Sequence, residues 1–259
     1  MRISVLGELK AEDGECIFTP HATKPRQLIA LLALNANRVV SNEILIEELW
    51  HDAAVPQSAI ATLQTYIFQL RMGLTYTPGC AGDRGKARER LITKPFGYQL
   101  RLGDDEFDVS EFKARISRAS EAGEAGRHTK AIEYYSACIR MFRGPALIGL
   151  HTGPVLQAHA RQLEELLLSV HEARVRHLLL IGRFSEAISD LSPLTVRHPL
   201  HEGLHVQMIR ALSRSGRRSE SLKIYQDIRR RLIDEVGIEP SVALQGAQRE
   251  ALCIECHAS

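Results

Sequence analysis

No run of apolar residues approaches the length of a membrane span, which argues against a helical membrane protein. The opening stretch MRISVLGELKAEDGE carries Arg2 and acids from Glu8 onward, so the apolar core of a signal peptide is missing. Cysteine is sparse and irregular. Positions 16, 80, 138, 253 and 256 form an odd, scattered set, which speaks against a disulfide framework and for free thiols in a reducing cytoplasm. No nucleophile with a matching base can be picked out among the acids and histidines, so no catalytic residue, metal ligand or cofactor is expected. What remains is a soluble globular composition. Hydrophobic residues make up 44% and charged residues 25% of 259 positions, room for one large domain or two ordinary ones.

Net charge is only +2, but it is unevenly spread. Seven basic and two acidic residues fall between Arg71 and Arg101, whereas residues 1–70 sum to −3. Focused positive charge is what a phosphate-contacting surface needs, because DNA affinity comes largely from releasing condensed counterions. A solvated basic loop would carry the same signal.

The first hundred residues divide into short elements. RISVLGELK and ECIFTP read as strands around the turn pair Asp13-Gly14. Thr23 can cap a first helix that tolerates its early Pro25, buries Leu28, Leu31, Leu32 and Leu34, and ends near Asn37. Ser41 caps a second, with Ile44, Leu45, Leu49 and Trp50 apolar. After Pro56, Ile60, Leu63, Ile67, Leu70 and Leu74 recur at three- and four-residue steps and predict the buried stripe of a third helix. Its opposite face offers Ser58, Ala61, Thr65, Phe68, Gln69 and Met72, flanked by Thr62 and Arg71, with no acid among them. Glutamine can pair with an adenine edge, threonine can reach a phosphate or base, and arginine can hold a phosphate or guanine. An ordinary amphipathic surface helix stays open as an alternative. LITKPFGYQLRL then reads as a hairpin turning at Pro95 to Gly97.

The order sheet, three helices, hairpin resembles the winged helix of OmpR-type response regulators. The resemblance implies that the third helix enters the major groove and the hairpin wing touches the neighbouring backbone or minor groove. It puts Thr65 and Gln69 at base-facing positions, Thr62 and Arg71 at phosphate-facing ones, and Lys94 and Arg101 on the wing; Ser58 and Met72 complete the expected DNA-binding set.

In the remainder, Gly126-Arg127-x-x-x-Ala131-Ile132, Gly182-Arg183-x-x-x-Ala187-Ile188 and Gly216-Arg217-x-x-x-Ser221-Leu222 form a repeat. The last two copies are 34 residues apart, the tetratricopeptide period, and the first two are 56 apart, with RGPALIGLHTGP as a looped insertion. Glycine can end one helix in a left-handed conformation, and a small residue lets the next approach. The fold expected is mainly α with a small β component: an N-terminal winged helix-turn-helix over 1–103, an all-α tetratricopeptide-like stack over 104–252, and a tail over 253–259.

RGPALIGL, ARQLEELLLSVHEARVRHLLLIGRFSEAI, HPLHEGLHVQMIRALSRSGRRSESLKIYQDIRRRL and DEVGIEPS are similar to the bacterial transcriptional activation domain. With the winged helix, the arrangement resembles the Streptomyces antibiotic regulatory proteins. That resemblance implies a cytoplasmic activator of secondary-metabolite genes that binds direct repeats in double-stranded promoter DNA as a homodimer and contacts RNA polymerase and its sigma subunit, without a membrane. A DNA-binding repressor and a tetratricopeptide scaffold are the competing readings.

Three strings invite an enzyme or cofactor reading. HEGLH (201–205) fits H-E-x-x-H, but Gly203 weakens the helix that must present both histidines, and the longer zinc signature fails at Met208. Cys253-x-x-Cys256-His257 matches a haem attachment string whose chemistry needs export. GCAGDRGKA lacks the first glycine of a phosphate loop at Cys80 and its hydroxyl at Ala87.

Overall fold

A computed structural model of the chain describes residues 1–13, 16–17, 19–75 and 84–253. Gly14 of the expected first turn, Cys80, and Cys256 and His257 of the tail lie outside the described residues. The elements are β1 (Arg2–Ser4), β2 (Lys10–Asp13), β3 (Cys16–Ile17), α1 (Thr23–Leu34), β4 (Val39–Ser41), α2 (Asn42–Leu49), α3 (Ala59–Thr75), α4 (Arg84–Arg90), β5 (Leu91–Lys94) and β6 (Gly97–Leu100). There follow α5 (Asp108–Glu124), α6 (His128–Met141), α7 (Pro154–Leu180), α8 (Phe184–Arg197), α9 (Glu202–Arg214), α10 (Arg218–Arg231) and α11 (Val242–Cys253). The expected class is met, with small sheets and helices first and helices alone after; the short α4 between α3 and β5 adds a fourth helix to the three expected before the hairpin.

The chain forms two compact units, Met1–Arg115 with Cys138–Leu167, and Ile116–Ala137 with Leu168 onward. In the first, β1, β2 and β3 pair antiparallel in that order, with Ile3 opposite Ala11. Ile3 and Ala11 of these strands, and Val5, Leu6 and Leu9 of the connection between β1 and β2, are buried. The second sheet runs β4-β6-β5, so the hairpin is extended by the strand ahead of α2. Lys94 pairs with Gly97 across a two-residue turn, Pro95-Phe96. Gly97 also pairs with Ser41, and a Cβ there would stand 2.0 Å from the Val40 carbonyl oxygen; only glycine allows β4 so close.

Local capping follows the sequence in one helix and departs from it in another. Ser41 accepts the Ile44 amide at the start of α2, as expected. Thr23 is instead the first residue of α1: extended Ala22 precedes it, and no side chain caps that end. Asn37 takes a left-handed φ of 65° and ties the chain to the hairpin, accepting from the Leu102 amide and donating to the Leu102 carbonyl.

Two buried carboxylates hold distant parts of the first unit together. Asp108, first residue of α5, accepts the amides of Val5 and Leu6. Glu48, fully buried on α2, accepts Gly153 N at 2.6 Å, Val155 N at 2.8 Å and Leu156 N at 3.2 Å, and so caps α7 with a charge at the positive end of its dipole. The expected looped insertion is bonded in as well: Arg143 N donates to Leu6 O and Leu147 N to Val5 O, with Leu147 buried at a φ of 59°.

The second unit explains the sequence repeat. Gly126, Gly182 and Gly216 have φ of 72°, 76° and 82°. After each, the arginine amide reaches back to a carbonyl five residues earlier, Arg127 to Ala122, Arg183 to Leu178 and Arg217 to Leu212. These are Schellman closures, which need a left-handed residue at the glycine position. Ala131, Ala187 and Ser221, one turn into the next helices, are completely buried where helices approach. Leu178, Leu191, Leu204 and Ala211 belong to one core, and Ile209, Ile228 and Leu244 to the next.

Candidate nucleic-acid interface

Helix α3 buries Ala59, Leu63, Ile67 and Leu70. The predicted stripe shifts slightly: Ile60 is 51% exposed, because Ala59 rather than Ile60 continues the row through Leu63. Solvent meets Ala61, Gln64, Thr65, Phe68 and Gln69, with Ser58 exposed just ahead of the helix and Thr62 and Met72 half-buried at its margins. Five of the expected residues therefore share one surface. Gln64 joins them although the sequence reading passed over it; at about 100° per residue it falls beside Phe68 and Ala61. The hydroxyls of Thr62 and Thr65 donate to the carbonyls of Ser58 and Ala61, which orients their lone pairs outward as acceptors. No carboxylate lies on this face between Ser58 and Thr75.

Arg71 sits differently from the rest. Its Nε and Nη2 donate to the Leu91 carbonyl at 3.0 and 2.7 Å, and Nη2 reaches Thr93 Oγ1 at 2.9 Å. The guanidinium fork thus links α3 to β5. Burial lowers its pKa, a change without consequence near neutrality for so strong a base.

At the hairpin tip Lys94 is half-buried and Phe96 is 82% exposed. Phe96 went unremarked in the sequence, where its position in the two-residue turn was the available signal. Arg101 is exposed at the opposite end, its amide bonded to the Arg90 carbonyl just beyond the paired strands. Arg90 pairs with Glu106, so part of the positive stretch is neutralised within the fold. Glu106 is itself held down to about 2: burial opposes ionisation, but hydrogen bonds from Arg90 and the Gly103 amide and the charges of Arg90 and the N-terminus outweigh it.

The tempting histidine pair has structural work elsewhere. His201 Nδ1 accepts the Leu204 amide as the cap of α9, and buried His205 donates from Nε2 to the Pro199 carbonyl. Cys138 is buried, which pushes its thiol up to about 11.

Residues 19–81 match the family described as transcriptional regulatory protein, C terminal, and residues 107–252 match the bacterial transcriptional activator domain. This chain belongs to the Streptomyces antibiotic regulatory protein family. It is a transcriptional regulator with an OmpR-type DNA-binding domain. The regulator is 40% identical over 252 residues to the regulatory protein DnrI of Streptomyces peucetius, covering 97% of this chain and 92% of that one. It is 34% identical to the regulatory protein AfsR of Streptomyces coelicolor over 97% of its own length but 24% of AfsR. The solved structure of Mycobacterium tuberculosis EmbR in complex with a low-affinity phosphopeptide superposes with a TM-score of 0.88 at 32% identity, covering 97% of the regulator and 64% of EmbR. The regulator thus spans most of DnrI but only part of EmbR and AfsR. Among the described residues no helix is long and apolar enough to cross a membrane.

Proposed function

We propose that the regulator activates genes of a secondary-metabolite cluster by binding direct repeats in promoter DNA as a homodimer and recruiting RNA polymerase through its sigma subunit. The observation that carries DNA reading is the acid-free, exposed face of α3. Thr65, Gln69 and Met72 meet base edges in the major groove, and Ser58 and Thr62 meet the adjoining phosphates. Lys94 contacts the backbone from the wing tip, and Arg101 adds charge at the wing base. Arg71 serves the interface chiefly by fixing the wing against α3. The module reading DNA ends near residue 103, and the helices beyond supply dimer and polymerase contacts.

Binding of the protein to genomic fragments tests the reading, with enrichment of directly repeated sites upstream of biosynthetic genes expected. Gln69→Ala should relax preference at one base position, costing about 1–3 kcal/mol on the matched site. Arg71→Ala should weaken matched and random DNA alike, since a displaced wing carries no base information. Equal losses on both DNAs for Gln69→Ala, or no enriched site, would count against the assignment. Transcription from a bound promoter that falls when the protein is added would replace activation with repression.

A further inference from the structure

His51 and Asp52 lie in the turn after α2, and His151 lies in the segment ahead of α7. His151 Nε2 is 3.0 Å from Asp52 Oδ2, and the His51 and His151 rings are tilted 32° with centroids 5.1 Å apart. One donor atom from each of the three lies within 4.8 Å of the others, and all three side chains are exposed. We propose that His51, Asp52 and His151 form a binding site for a borderline divalent cation of the zinc type, joining the turn before α3 to the segment before α7.

Two imidazoles and one carboxylate are a ligand set suited to zinc, with a fourth position left to water. Zinc bonds of about 2.0–2.1 Å in a tetrahedron place donor atoms about 3.3 Å apart. The His151–Asp52 pair is already near that spacing, and a small shift of the exposed His51 ring closes the remainder. The second shell is present too. His51 Nδ1 is 3.0 Å from the Glu48 carbonyl oxygen, which can only accept; Nδ1 therefore carries the proton, and Nε2 keeps the lone pair for a metal. The two halves are held together before any ion arrives. Glu48 binds the Gly153 amide, and a Cβ at Gly153 would stand 2.7 Å from the Glu48 carbonyl oxygen, so the backbone two residues after His151 is fixed beside the turn that carries His51. Little further ordering is lost on binding.

The test uses the full chain after chelator treatment. Titration with cobalt(II) should give a visible absorption band that saturates at one equivalent and is displaced by zinc, and equilibrium dialysis should retain one zinc per chain. His51→Gln and His151→Gln should each abolish the band and weaken zinc retention at least about ten-fold, Asp52→Asn should weaken it, and His21→Gln should leave it unchanged. Circular dichroism of the variants should match the parent, because the substituted side chains are exposed. Absence of stoichiometric zinc, equal retention by the His51→Gln/His151→Gln double variant, or loss of zinc in His201→Ala instead would overturn the proposal.

Discussion

The two units of this regulator solve the same problem, joining short elements, by opposite means. The second repeats a local rule: a left-handed glycine closes one helix, and a buried Ala or Ser one turn into the next helix lets it pack. Every partner in the closing hydrogen bond lies within five residues. The first unit relies on partners more than a hundred positions apart, where Glu48 caps α7 and Asp108 receives the amides of Val5 and Leu6. Local rules can be repeated cheaply, whereas a buried carboxylate is tolerated only where several donors converge on it.

The largest effect expected from this contrast is at Glu48. Glu48→Ala leaves three amides at the head of α7 without their acceptor and should cost about 3 kcal/mol in urea unfolding. Gly216→Ala, which forces a side chain into a φ of 82°, should cost about 1 kcal/mol in the same assay. If the glycine change proves the more damaging, the contrast between long-range pins and local closures fails. The smallest effect is on pH dependence. Glu106 ionises near 2 when folded against an ordinary value of 4.5, so its contribution is complete above about 4.5 and is lost as pH falls toward 2. Glu106→Gln should flatten that part of the acid unfolding curve, and an unchanged acid limb would remove Arg90 and Glu106 from the forces holding the first unit.

Which side of α3 is buried and which is exposed was legible because helical periodicity is a local property. Leu63, Ile67 and Leu70 define the buried side of α3, and their spacing alone turns Thr65, Phe68 and Gln69 outward. Ile60 and Ala59 both fit the step to Leu63, and only packing chooses Ala59 for the core. The contact of Arg71 with Leu91 could not be read: an arginine on a helix margin looks alike in sequence whether or not it also holds a strand carbonyl. The expected boundary near residue 103 follows motif order, whereas the first compact unit takes in residues 1–115 and 138–167.

The sequence by itself determined the helix-ending glycines, the amphipathic faces and the order of sheet, helices and hairpin, since each is decided by neighbours within one or two turns. Tertiary structure alone decided which acid is buried at the head of α7, what Arg71 holds, and that His151 lies against Asp52, 99 positions away. Those contacts depend on loop closure and on convergent donors, which no local pattern encodes.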